Sequence, residues 1–524
     1  MPPPDAPPKC VCSGGFCFEK EKIMYTSLNA PALETEFANL PAPLPDSAFL
    51  HADSRKIRAG DVFVACQGEY VDGRDYIAAA IAQGAAFVFW DDDGRFKWRD
   101  EWRVPNAGVK NLRERAGILA AQMYGGVSGS LNIVGVTGTN GKTSITQWLA
   151  QAVDILEQRQ ACAIMGTVGN GFWGGLREAT HTTPDPVSVQ TLLRGFVREG
   201  ASHVAMEVSS HGLHQCRVNG VPFAAAVFTN LTRDHLDYHG SMAEYGNTKA
   251  RLFYWQGLRH AFINVDDPFG AELLARVRRD RPGTAAYGYG FAENADVRIT
   301  RFQAAPHGME VSLHTPWGEC DIATRLLGRF NAQNLAACVG VLCAQGYALA
   351  DVADALAQIR PATGRMDCIA EAGKPLVVVD YAHTPDALEK ALSTLREILP
   401  AHGKLWCVFG CGGNRDRGKR PLMGAAAAAH SDYPVVTSDN PRMEAPDTII
   451  ADILPAVPQP ALVEADRRRA IAQAVLQAAP DDIVLIAGKG HETYQDVQGE
   501  KQHFSDFEEA RAALARRLPE CSGR

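Results

Sequence analysis

The sequence lacks three features, and each absence narrows the class. No apolar run approaches the roughly 18 residues that a membrane-spanning helix needs. The nearest, Ala78–Trp90, is short and is broken by Gln83 and Gly84. Basic residues are not in excess: 52 Lys and Arg stand against 60 Asp and Glu, a net charge of −8. This argues against a general nucleic-acid binder, so an anionic small molecule must meet a local basic patch. Paired cysteine spacing is also missing. Most of the 13 cysteines fall singly in apolar segments (Cys66, Cys162, Cys216, Cys338, Cys343, Cys407), as thiols of a reducing compartment do, and not as a disulfide framework. Only Cys10, Cys12 and Cys17 cluster, and with no histidine nearby they make a poor metal site. Met1–Lys22 has neither a basic stretch nor a long apolar core. It reads as a disordered extension, with Met24 as a candidate start, and the protein as cytoplasmic.

What is present is ordinary globular composition, 46% hydrophobic and 21% charged. At about 150 residues per domain, 524 residues suggest about three domains. Met24 to about Arg113 forms a small α/β block with strands at Val62–Ala65 and Ala86–Trp90 and a helix near Tyr76–Gln83. A helix at Leu112–Tyr124 and a Gly/Ser hinge, Gly125–Ser130, lead into the second block. Residues 114–360 alternate strands (Leu131–Val136, Ala161–Met165, Val204–Val208, Ala225–Thr229) with helices (Ser144–Leu156, Val187–Glu199, Met242–Tyr254). This spacing predicts a mostly parallel sheet covered on both faces. A β-rich stretch, Asp296–Arg325, and helices Ala332–Gln345 and Leu349–Gln358 follow. Arg360–Gly364 breaks the chain, and residues 361–524 alternate again. Their strands are Pro375–Val379, Leu405–Phe409, Pro434–Thr437 and Ile483–Ile486, with helices near Pro385–Leu399, Arg420–His430 and Arg467–Ala478.

The strongest chemical signal is Gly135-Val-Thr-Gly-Thr-Asn-Gly-Lys-Thr-Ser144. A strand runs into a Gly-rich turn and a helix opens at Lys142, so several N–H groups converge where the helix terminus adds positive potential. Lys142 is placed for outer phosphates and the Thr143 hydroxyl for Mg²⁺. The two outer glycines are six apart, one more than the usual phosphate loop allows. Glu207 ends a neighbouring strand and supplies an acidic metal ligand. The segment Thr229–His239 follows the next strand and is dense in acids and histidines. In the third block Asp380–Pro385, Gly410–Arg420, Asp439–Arg442 and Gly488–Glu492 each follow a strand. Ligands of open parallel sheets sit at strand carboxyl ends, so the four clusters point to one crevice. The loop Gly410–Arg420 also concentrates four cations.

In these motifs the chain resembles the Mur ligases, ATP-dependent amide-forming enzymes of peptidoglycan precursor synthesis, a cell-wall process tied to cell shape and division. The resemblance rests on Thr-Gly-Thr-Asn-Gly-Lys-Thr, Glu-Val-Ser-Ser-His, Thr-Asn-Leu-x-x-Asp-His-Leu-Asp-x-His, Gly-Arg-Phe-Asn-x-x-Asn, Gly-Arg-Met-Asp, Asp-Tyr-Ala-His-Thr-Pro and Gly-Lys-Gly-His-Glu, in order, over nearly everything after Met24. The long glycine spacing is the family's own. Asp439-Asn-Pro-Arg442 is similar to the signature of the members that add meso-2,6-diaminopimelate to UDP-N-acetylmuramoyl-L-alanyl-D-glutamate.

The resemblance implies a three-domain α/β fold. Its parts are a small UDP-binding unit, a central ATP-binding unit with a P-loop-type sheet, and a Rossmann-like unit that binds the amino acid. It implies that Ser54 contacts the uridine nucleotide, and that Thr182, Thr183, Ser209, Gln215 and Arg217 hold the muramoyl dipeptide. Gly138, Thr139, Asn140, Gly141, Lys142, Thr143 and Ser144 cradle ATP, with Asn331 and Asn334 near the adenine and His383 close by. Thr143 and Glu207 bind one Mg²⁺; His235 shares a second with Lys249, the lysine that CO₂ carbamylates in this family. Lys142, Lys249, His235 and Glu207 form the catalytic set. Arg415, Asp439, Asn440, Pro441, Arg442, Gly488 and Glu492 bind diaminopimelate. Asn414 departs from the acidic residue that relatives often carry. The expected partners are small molecules only, with no nucleic acid or membrane, and the expected assembly is a monomer.

In such chemistry the ATP γ-phosphate activates a carboxylate as an acyl phosphate, which an amine then displaces. No cysteine nucleophile is needed, and the third block must close onto the second. Diaminopimelate differs from lysine by one carboxylate, which the Arg442 guanidinium is suited to grip with two hydrogen bonds while Glu492 takes the adjacent ammonium. Three alternatives stand beside this reading: a lysine-adding ligase, disfavoured by Arg442; a folylpolyglutamate-type ligase, disfavoured by the long first block and Lys142-Thr-Ser144; and an ATP-hydrolysing switch, which leaves the third block's clusters idle.

Overall fold

The computed structural model describes residues 44–45, 47–68, 71–179, 181–305 and 308–517. The expected extension, Met24 and the Cys10–Cys17 cluster lie outside them.

The first unit is a four-stranded parallel sheet of Leu50–His51, Val62–Ala65, Phe87–Asp91 and Asn106–Val109, in that order. Its outer strands are short and polar or glycine-bearing, which is why alternation did not reveal them. Helix Leu112–Met123 packs on this sheet: Leu112, Ala116, Leu119 and Met123 share a core with Val62, Val64 and Phe89. By packing, therefore, this helix goes with the first sheet, and the 125–130 segment follows it.

The central sheet has ten strands. Cys162–Met165, His203–Glu207, Asn132–Thr137, Phe223–Phe228, His260–Asn264, Ala285–Gly290 and Val297–Ala305 run parallel in that order. Asn170–Phe172 closes one edge and Gly308–Thr315 with Gly318–Thr324 the other, all antiparallel. Side chains alternate between faces. Val134 and Val136 join one core with Trp148, Leu149 and Leu335, while Ile133, Val204 and Met206 join another with Leu193, Phe253 and Leu273. The sheet is thus covered on both faces, as the strand–helix alternation predicts. Strands His260–Asn264 and Ala285–Gly290, with helix Pro268–Asp280 between them, complete it beyond the expected elements.

The third unit is a six-stranded sheet in the order Asp367–Ile369, Leu376–Asp380, Ile483–Ala487, Leu405–Phe409, Tyr433–Val436, Leu462–Val463, parallel except for the first. Helices start where a polar cap precedes proline: Asp185 accepts from Val187 and Ser188 N–H ahead of Pro186, and Thr384 from Ala387 N–H ahead of Pro385. A hairpin, Tyr494–Val497 with Glu500–His503, crosses the strand ends, and its Asp496 carbonyl accepts from Arg442 N–H at 2.9 Å.

Candidate active site

Strand Asn132–Thr137 ends at Gly138 and helix Lys142–Glu157 begins after Gly141. Both glycines have positive φ, 145° and 89°. A Cβ on Gly138 would collide with Thr229 Oγ1, and one on Gly141 would crowd the Asn334 amide at 2.8 Å. Two lysine amino groups converge on this loop: Lys142 Nζ donates to the carbonyls of Gly138 (2.9 Å) and Thr139 (2.8 Å), and Lys249 Nζ to Gly138 (2.8 Å). Lys249 is 1% exposed, and its Nζ lies 4.4 Å from the Tyr245 ring centroid. Burial and the charge of Lys142 hold its amine well below the usual lysine range; burial also lowers Lys142.

Thr143 Oγ1 donates to Glu207 Oε1 at 3.0 Å, inside the strand-end carboxylate's buried pocket. Thr167 holds the same carboxylate through its N–H (3.0 Å) and hydroxyl (3.1 Å), and the Arg365 guanidinium donates to Thr143 Oγ1 at 3.2 Å. Thr167 and Thr182 hydroxyls are 3.0 Å apart, so Glu207 adjoins the residues expected to hold the dipeptide. Those residues form one network. Thr183 Oγ1 donates to the Glu207 carbonyl and Ser209 Oγ, Ser209 caps Gly212 N–H, and Arg217 donates to Gln215 Oε1 and the Thr183 carbonyl. Ser54 is buried in the first unit at the start of Ser54–Lys56, behind the Asp53–Arg55 pair.

His235, half-exposed in a left-handed turn (φ 53°), packs edge-on against His211, which also meets Tyr238 and His239. Burial, with the neighbouring imidazoles, pushes His211 and His239 down to about 4, and burial lowers His235. These rings are neutral at pH 7 and able to offer nitrogen lone pairs. Asp234 Oδ2 lies 3.5 Å from His235 Nε2 and 4.0 Å from His383 Nε2, linking the second unit to the third. Burial raises Asp234, but His235, His383 and Lys419 outweigh it and leave the carboxyl below its usual range.

A cavity of about 420 Å³ opens beside the loop, lined by Gly141, Ser144, Asn331 and Asn334 from the second unit and by Arg365 and Asp386 from the third. His383 is not among its lining residues; its Nδ1 meets the Tyr381 carbonyl at 2.8 Å. Among the described residues no three His, Cys, Asp or Glu side chains gather to hold a metal by themselves. Thr143 and Glu207 nevertheless offer two adjoining hard oxygens, the donor set Mg²⁺ takes alongside phosphate and water.

The third unit's strand ends meet as the open-sheet rule requires. Asn440 donates to Glu492 Oε2 at 2.8 Å, and the fully buried Lys489 donates to Asn440 Oδ1 and Glu492 Oε2, both at 3.0 Å. Gly488 (φ 119°) faces Asp439, whose Oδ2 would be 2.6 Å from a Cβ there. Arg442 NH1 donates to the Gly413 carbonyl at 2.8 Å, and Pro441 packs its carbonyl onto Gly413. The basic loop corrects the picture of four concentrated cations. Arg420, 1% exposed, is spent on Glu444 and Asp452, both at 2.8 Å, and Arg417 also pairs with Asp452. Arg415 is exposed. Arg365, Asp234, Thr167 and Lys489 were not singled out as site residues, although Arg365, Asp234 and Lys489 stand inside motifs that were.

Comparison with known proteins decides the family. Residues 47–124 match the Mur ligase family catalytic domain, 136–342 the Mur ligase middle domain, and 364–490 the Mur ligase glutamate ligase domain. The chain belongs to the Mur ligase family. Among curated Mur ligases it is 65% identical over 494 residues to the UDP-N-acetylmuramoyl-L-alanyl-D-glutamate–2,6-diaminopimelate ligase of Neisseria meningitidis serogroup B, covering 94% of this chain and all of that one. The same-named ligase of Chromobacterium violaceum is 58% identical over 466 residues, covering 89% and 94%. A solved structure of a ligase of that name aligns with a TM-score of 0.65 at 37% identity, again over 89% and 94%. No helix among the described residues is long and apolar enough to cross a membrane.

Proposed function

We propose that this Mur ligase joins meso-2,6-diaminopimelate to the D-glutamyl γ-carboxylate of UDP-N-acetylmuramoyl-L-alanyl-D-glutamate at the expense of ATP. The observation that carries this reading is the 65% identity, over 94% of the chain, to a ligase named for that reaction. ATP lies with its phosphates on Gly138–Ser144 and its base in the cavity beside Asn331 and Asn334. Thr143 and Glu207 would hold one Mg²⁺, and His235 with a carbamylated Lys249 a second; such ions would supply neutralisation of phosphate charge. The division into three units, uridine nucleotide on the first, ATP on the second and amino acid on the third, is part of this proposal.

The residues act chiefly by positioning and charge. Lys142 leaves the Gly138 and Thr139 carbonyls for the γ-phosphate, and Arg365 reaches the same place from the third unit. Thr182, Thr183, Ser209 and Arg217 hold the dipeptide so that its γ-carboxylate attacks phosphorus; ADP leaves and an acyl phosphate forms. The free amine of diaminopimelate then adds to the acyl carbon, and phosphate departs with the C–O bond. Arg442 binds the distal carboxylate and Glu492 its ammonium. Burial and the Lys142 charge favour the uncharged Lys249 amine, which suits it to carbamylation: the neutral nitrogen bonds to CO₂ and releases one proton, becoming an anionic carbamate. Incubation of the purified protein with ATP, Mg²⁺, UDP-muramoyl dipeptide and diaminopimelate is expected to give the tripeptide product by mass spectrometry. Recovery of unchanged dipeptide would overturn the assignment.

A further inference from the structure

Arg467 and Asp506 form an ion pair in which neither side chain has measurable exposure. They are the first residues of helices Arg467–Gln477 and Asp506–Arg516, outside every motif used above. The pair is two-pronged: Nε meets Oδ1 at 2.8 Å and NH2 meets Oδ2 at 2.7 Å. The guanidinium's other contacts are to two carbonyls, NH1 to Ser438 at 3.3 Å and NH2 to Ala487 at 2.9 Å. Ser438 immediately precedes Asp439, and Ala487 immediately precedes Gly488. Their strands, Tyr433–Val436 and Ile483–Ala487, are not neighbours; Leu405–Phe409 lies between them. One planar cation therefore spans the end of the intervening strand and ties together the starts of both amino-acid motifs.

A buried ion pair carries a large desolvation cost, and apolar side chains of similar volume commonly fill such a space at equal or better stability. Packing alone gives no reason for an arginine here. We infer that Arg467, oriented by Asp506, is a positioning residue that fixes the separation of Asp439–Arg442 from Gly488–Glu492. Arg442 and Glu492 then take the carboxylate and the ammonium of one amino acid at matched distance. Lys489 ties Asn440 to Glu492 further along the same gap. This inference rests on the diaminopimelate reading, and it joins the last helix to amino-acid choice.

The test is steady-state kinetics on the full chain, varying each substrate in turn, with melting curves for every variant. Arg467→Met with Asp506→Leu removes the pair without stranding a charge, and Arg467→Lys keeps the charge but loses the fork. Both are expected to raise the KM for diaminopimelate by about tenfold or more and to erode its preference over L-lysine, with ATP and UDP-dipeptide KM within about twofold. Should the double variant not fold, Arg467→Lys decides. An unchanged diaminopimelate KM in a folded variant, or an equal rise for all three substrates, overturns the inference and leaves the function standing. Absence of diaminopimelate turnover by the unaltered protein overturns both.

Discussion

The two strand-end sites are built in opposite ways. The proposed phosphate loop is one contiguous segment in which glycine backbone does most of the shaping and two lysines crowd a single carbonyl. The proposed amino-acid site is assembled from pieces far apart in sequence, and ion pairs, the fully buried Arg467–Asp506 and the buried Lys489 with the part-exposed Glu492, hold the pieces in register. The lesson is that a backbone-shaped site can be read from a short motif, whereas a site held by long-range ion pairs shows its contact residues and conceals its frame.

Breaking the phosphate side has the largest expected effect. Lys142→Ala should lower kcat by about 10³-fold, with diaminopimelate binding retained, because a preorganised charge at the transferring phosphoryl group is lost; rapid-quench measurement of acyl-phosphate formation checks it. Lys249→Ala should cost about 10²-fold or more. The unaltered protein should take up ¹³CO₂ at Lys249 at neutral pH, since its lowered pKa leaves the amine uncharged above that pKa and only the uncharged amine adds CO₂. A carbamate resonance absent from Lys249→Ala confirms it, and its absence from the unaltered protein refutes it.

On the amino-acid side Arg442→Ala strands the ligand's carboxylate, at about 2–5 kcal/mol. It should raise the diaminopimelate KM while ATP affinity, read by fluorescent-nucleotide titration, stays put. The smallest effect separates frame from site within the basic loop. Asp452→Asn removes one acid of the Arg420 triad, is part-exposed (30%) and retains Glu444, so the melting temperature should shift only slightly with kinetics unmoved. A large kinetic loss there would erase the distinction between the two kinds of region.

Legibility in the sequence follows the same division. Buried parallel strands such as Leu405–Phe409 and the helix Leu349–Gln358 have the bounds that pattern predicts, because continuous apolar runs and 3.6-residue periodicity survive burial on both faces. Ala285–Gly290 gives no alternation to read because four of its six residues are glycine or alanine. Helix Pro268–Asp280 carries the same capped-proline start, Asp267-Pro268, as helices Pro186–Arg198 and Pro385–Ile398, a signal legible in the sequence. Thr143 and Glu207, from two separate motifs, meet through a hydrogen bond. The role of Arg420 was misjudged because its acids, Glu444 and Asp452, lie far along the chain. Arg467 and Asp506 were invisible for the same reason: neither neighbours a motif, and only the fold brings their fork to Ser438 and Ala487.

The central claim is that the nucleotide side supplies activation common to the family while the Arg442–Glu492 side chooses the amine. Phosphate release with ATP, Mg²⁺ and UDP-muramoyl dipeptide, compared between meso-diaminopimelate and L-lysine, tests it most directly. The account predicts turnover with diaminopimelate and none above background with lysine. Equal turnover with lysine, or phosphate release that needs no amine at all, would contradict it.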